Sequence, residues 1–121
     1  MKINIKATNI ELTDAITDYL SKKIEMLEKF IDATPDSVFC DAEIGRTTKH
    51  HKGSDIFRAE INLHAAGKYF RAVSEKDNLY ASIDEAKDEI ARELNSHKTK
   101  KETLVRRGGR KVKKILKHLR F

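Results

Sequence analysis

Between Asn78 and Lys101 the apolar residues return at helical intervals. Leu79, Ile83, Ala86, Ile90 and Leu94 are separated by steps of four, three, four and four. That spacing puts all five on one face of a single helix about 35 Å long, at ~1.5 Å per residue. Asp77 or Asn78 can cap its start by accepting from the first free backbone amides. Its far end carries Lys98, Lys100 and Lys101, with no acid four residues before any of them. One face of this helix is made for a core, and its last turns are made for an anion.

The preceding chain supplies what such a face needs to cover. Residues 2–7 alternate as a strand, with Ile3, Ile5 and Ala7 on one side. Thr13 is placed to cap a helix whose apolar positions are Ile16, Leu20, Ile24, Leu27 and Ile31, up to the stop at 32–36 around Pro35. A second strand alternates over 38–44, and 45–55 reads as a polar loop. A third strand puts Phe57, Ala59, Ile61, Leu63 and Ala65 on one face. Ala66-Gly67 makes a tight turn into a fourth strand over 69–73. The expected fold is α+β, in the order β-α-β-β-β-α. The strand–helix–strand crossover pairs its strands in parallel, and the later strands form an antiparallel meander. The result is a four-stranded mixed sheet with two helices on one face. A fold that needs a strand after the second helix is excluded, because KTKKETLVRRGGRK cannot supply a buried one.

Charge divides the chain in two. Its 121 residues carry a net +6, but residues 96–121 hold eleven Lys or Arg against the single acid Glu102. Residues 1–95 are net negative. We therefore expect a folded domain over 1–101 and a basic C-terminal tail over 102–121, flexible or ordered as a helix by a partner. In the tail Val112, Ile115, Leu116 and Leu119 share a helical face. Lys98, Lys100, Lys101, Arg106, Arg107, Arg110 and Lys111 begin a cationic track suited to a phosphate backbone. The competing reading of the tail is a membrane-surface or protein-binding amphipathic helix.

The remaining signals favour binding over catalysis. The sequence contains no nucleophile elbow, glycine-rich phosphate loop or metal-ligand spacing, so no enzyme activity, metal or cofactor is expected. His50 and His51 sit beside Lys49 and Lys52 in the polar loop, which reads as solvated surface. The lone Cys40 allows no internal disulfide and fits a reducing cytoplasm. No run of about 18 apolar residues is present, and MKINIKATNIEL alternates where a signal peptide would be solidly apolar. Phe39 and Tyr69 fall on the open sheet face with Asp41, Glu43 and Glu60, whose charge opposes phosphate. Stacking of bases there is not expected.

The segment FRAVSEKDNLYASIDEAKDEIARELNSHKTK resembles the signature of the ribosome hibernation promoting factor and ribosome-associated inhibitor A family. That signature has an Arg-Ala strand, a short acidic turn and Asp-x-Tyr-Ala-Ala-Ile-Asp leading into a basic helix. Arg71-Ala72 and Asn78-Leu79-Tyr80-Ala81-Ser82-Ile83-Asp84 match it here, with Asn78 and Ser82 as departures. The opening INIKATNIELTDAITDYLSKKIEMLEKF is also similar, so the resemblance covers residues 1 to about 101. It implies a domain similar to double-stranded-RNA-binding domains. It also implies a cytoplasmic partner, the small ribosomal subunit and its ribosomal RNA or the 70S ribosome, bound in the channel for messenger and transfer RNA. Carried over by position, the rRNA contacts are Lys22, Lys23 and Lys29 on the first helix and Lys87, Arg92, Lys98, Lys100 and Lys101 on the second. Arg71 and Tyr80 match the signature itself. Two features depart from the family's pattern: the folded part is net acidic, and 102–121 is a basic segment where long members carry a second domain that pairs ribosomes.

Overall fold

The computed structural model describes residues 1–31, 35–49, 54–65 and 67–97. Its elements are β1 (Lys2–Thr8), α1 (Asp14–Glu25), β2 (Phe39–Lys49), β3 (Ser54–Ala65), β4 (Lys68–Lys76) and α2 (residues 79–97). The sheet order is β1-β2-β3-β4. β1 runs parallel to β2, and the other two pairs are antiparallel. This is the expected mixed sheet with two helices.

One face of the sheet is the core. Cys40, Ala42, Ile44, Ala59, Ile61, Leu63, Ala65 and Ala72 meet Leu20, Ile24 and Leu27 from the first helical segment. Leu79, Ile83, Ala86, Ile90 and Leu94 of α2 join the same cluster. Each fully buried Leu or Ile contributes about 1.5–3 kcal/mol against the entropy of ordering the chain. Because both helices feed this one cluster, no helix among the described residues covers the other sheet face.

Local chemistry sets the boundaries. Asn9 takes a left-handed φ of 58°, a conformation its short polar side chain tolerates, and turns the chain out of β1. Thr13 then accepts from the Ile16 amide at 3.2 Å to open α1. Asn78, rather than Asp77, caps α2: its Oδ1 accepts from the Ala81 amide at 3.2 Å. Gly67, with φ of 73°, makes the turn between Ala65 and its partner Lys68.

Three expectations need correction. The first helix does not run on to Ile31. The Met26 amide reaches both Ile24 and Lys22 carbonyls, the ladder tightens, and a 3-10 turn over Glu28–Phe30 follows. Leu27 is buried nonetheless, because the tightened turn still points it at the sheet. The span 45–55 is not all loop: β2 continues through Lys49 and β3 begins at Ser54, paired as Lys49↔Ser54. Backbone pairing carries the hairpin past the end of the core, where side-chain alternation no longer signals it. β4 likewise extends to Lys76.

Candidate nucleic-acid interface

The predicted contact residues fall into three groups. Lys22 and Lys23 occupy the last turn of α1, and Lys29 the 3-10 turn after it. Lys87 and Arg92 lie on α2. Arg71 lies on the sheet face away from both helices, as its paired neighbour Asn62 does. Lys98, Lys100, Lys101, Arg106, Arg107, Arg110 and Lys111 lie outside the described residues, as does the rest of the 102–121 segment. So do His50, His51 and Lys52.

The helix cations differ in how free they are. Lys23 is half-buried between the helices: its Nζ is 3.2 Å from Asp84 Oδ1 and 5.3 Å from the centre of the Tyr19 ring. Tyr19 donates its hydroxyl to the same Asp84 oxygen at 2.6 Å. Tyr80 meets the Tyr19 ring edge-on at 4.7 Å. The hydrogen bond to Asp84 raises the Tyr19 pKa above 10.0 and is also the main cause of the raised Lys23 pKa. This four-residue clasp joins the signature end of α2 to α1. Lys87 is largely covered and pairs with Asp88 at 2.9 Å.

Lys22, Lys29 and Arg92 are exposed and make no ion pair among the described residues. Lys29 lies 5.0 Å from the Phe30 ring centre. Arg92 lines an open cleft of about 470 Å³ with Phe70, Glu93, Ser96 and His97. The described helices are nevertheless net acidic. α1 holds two lysines against Asp14, Asp18 and Glu25, and residues 79–97 hold Lys87 and Arg92 against five acids. A polyanion would meet a few separated cations here, not a continuous basic strip.

Arg71 has a different setting. Its guanidinium is 2.8 Å from Glu60 Oε1, which also pairs with Arg58 at 2.9 Å. Asn62 donates to the other Glu60 oxygen at 3.0 Å. The bond from Arg71, then those from Asn62 and Arg58, hold the Glu60 carboxyl down at about 2. Among the described residues no cluster of His, Cys, Asp or Glu could hold a metal ion. Sequence reasoning did not find the Tyr19–Asp84 bond, since nothing local links positions so far apart. The β3–β4 register sets His64 opposite Tyr69, and that pairing was available from sequence.

Residues 3–102 match the family described as sigma 54 modulation protein / S30EA ribosomal protein. The chain is 34% identical over 100 residues to a ribosome hibernation promotion factor of Picosynechococcus sp., covering 83% of this chain and 50% of the relative. It thus spans about half the length of that relative. It is 33% identical to the ribosome hibernation promoting factor of Klebsiella oxytoca, over 83% of this chain and 96% of the relative. Among solved structures, the N-terminal domain of Thermus thermophilus Protein Y superposes with a TM-score of 0.63 at 28% identity, covering 80% of this chain and 99% of that one. A ribosomal subunit interface protein from Coxiella burnetii shares the fold, with a TM-score of 0.65 at 16% identity, over 82% of this chain and 99% of that one.

Proposed function

The chain belongs to the sigma 54 modulation protein / S30EA ribosomal protein family, and from that membership we propose that it is a non-enzymatic ribosome hibernation factor. In this reading it binds the small ribosomal subunit in the channel used by messenger and transfer RNA, blocks initiation and preserves idle cytoplasmic ribosomes under stress. The observation that carries the reading is the family match across 3–102, which covers all described elements but the first residue of β1.

The charge layout supports a division of labour. Residues 1–101 form the ribosome-binding domain. Its exposed Lys22, Lys29 and Arg92, and Lys23 held by the clasp, contact ribosomal RNA at separate points. Lys98, Lys100 and Lys101 continue that contact from sequence, and Arg106, Arg107, Arg110 and Lys111 extend it into the tail. The tail adds electrostatic affinity that a net acidic domain surface lacks. Lys87 contributes less, because Asp88 occupies it.

Salt dependence tests this division. Each phosphate neutralised steepens the fall of log affinity with log salt by roughly 0.7–0.9. Binding of small subunits should therefore weaken steeply with salt, and a chain ending at Lys101 should show a shallower slope. An unchanged slope would remove the tail from the interface.

A further inference from the structure

The sheet face away from the helices carries a row of rings that the helix-side reading does not use. Pairing registers align Lys2 with Phe39, Phe39 with His64 and His64 with Tyr69, so one line of side chains crosses all four strands. The Phe39 and His64 rings are stacked, 4.3 Å apart and within 10° of parallel. His64 and Tyr69 follow at 4.7 Å. Tyr69 donates its hydroxyl to Asn62 at 2.6 Å, which fixes the end of the row.

Phe39 and His64 lie face to face, while Tyr69 is tilted 54° from His64. Phe39 has one face against His64, so its second face is turned toward β1. An open cleft of about 570 Å³ lies there, lined by Phe39, Met1, Lys2, Asn4, Asp41 and a second acid, Asp36. Phe39 is 40% exposed and Tyr69 55%, a large aromatic surface to leave in water.

The acids on this face are engaged. Glu60 is held by Arg58, Arg71 and Asn62. Thr8 donates to Glu43 at 3.1 Å, and Asn4 donates to one Asp41 oxygen at 3.1 Å. The repulsion of Glu60 toward phosphate is offset by its two arginines, Asp41 and Glu43 are held in place by neutral donors and keep their charge, and Lys2 stands beside the cleft as a cation.

We propose that this cleft takes one unpaired nucleobase of an RNA strand, stacked on the free face of Phe39 as a continuation of the Phe39–His64–Tyr69 row. The Lys2 ammonium meets the phosphate. The Asp41 oxygen that Asn4 leaves open accepts from an exocyclic amino group, which favours adenine or cytosine over uracil. This site is distinct from the helix surface and would let the protein hold single-stranded RNA on its opposite side.

Phe39→Trp supplies the probe, since the chain has no tryptophan. The full-length variant is titrated at physiological salt with short oligoadenylate, with an abasic ribose-phosphate strand of equal length, and with adenosine monophosphate. Oligoadenylate should quench the new fluorophore and bind about tenfold or more tightly than the abasic strand, the usual scale of one base–aromatic stack. Phe39→Ala, checked for folding by circular dichroism, should bring the two strands to equal affinity. A base preference that survives Phe39→Ala overturns the proposal, as does binding of oligoadenylate without quenching. Equal quenching by the free monophosphate would replace the RNA strand with a free nucleotide and overturn it too. No ribosomal subunit is present, so the result is independent of the channel reading.

Discussion

Asp84 limits how much of its charge Lys23 has free. The carboxylate accepts from Tyr19 and pairs with Lys23, so both partners are fixed and Lys23 is partly neutralised. Asp84→Ala should lower the Tyr19 pKa toward its ordinary value and free the lysine. The stability cost should be about 1 kcal/mol, since solvent screens a half-exposed pair. Ring-carbon NMR titration of the tyrosines reads the first effect and thermal unfolding the second; an unmoved Tyr19 would refute the clasp. Glu60 gives a pH prediction. Its folded pKa, about 2, lies below the ordinary 4.5. A depressed carboxylate contributes stability that is fully present above the unfolded value and is lost as pH falls through the folded one. Stability should therefore decline between about pH 4.5 and 2. Glu60→Gln should flatten that part of the acid limb and cost about 1–2 kcal/mol at neutral pH, with half-exposed Arg71 limiting the effect. An acid limb identical in the two proteins would contradict the assignment.

At the scale of elements, the two helices separate what sequence carries from what it does not. All five apolar positions of α2 are buried, because a helix packed on a sheet needs one stripe and the stripe is visible in the spacing. Its cap is a direct test: Asn78→Ala should cost about 1 kcal/mol in thermal or denaturant unfolding, and a neutral result would mean that Asn78 does not hold the helix start. The end of α1 was not legible, because Leu27 keeps the helical period although the backbone has tightened into a 3-10 turn. The outer parts of β2 and β3 were hidden for a different reason: Thr47 and Asp55 are strand residues beyond the core, where burial no longer enforces alternation. The candidate site was legible only as a list of cations. Which of them are paired depends on contacts such as Lys23–Asp84, set by how α1 packs on α2. Ser74 adds an element-scale test. Its hydroxyl is buried in β4 and has no hydrogen-bond partner among the described residues. Ser74→Ala should therefore be neutral or stabilising by up to about 1 kcal/mol in the same unfolding assay, and a clear loss of stability would reveal a partner for that oxygen.

For the whole molecule, the proposed function has an acidic domain and a basic C-terminal segment act on one polyanionic partner. The domain's shape then has to supply the selectivity, because its net charge opposes RNA, and the tail supplies attraction without sequence preference. Family membership agrees with a ribosomal partner, and occupation of the messenger and transfer RNA channel is the central claim. The most direct measurement is co-sedimentation of the full-length protein and of a chain ending at Lys101 with purified small subunits through sucrose gradients, with and without messenger RNA and initiator transfer RNA. The account predicts that both chains bind, the shorter one more weakly, and that messenger and transfer RNA displace both. Binding by the full-length chain alone, undiminished by either RNA, would contradict it: the tail would then be a general polyanion anchor, and the domain would have no place in the channel.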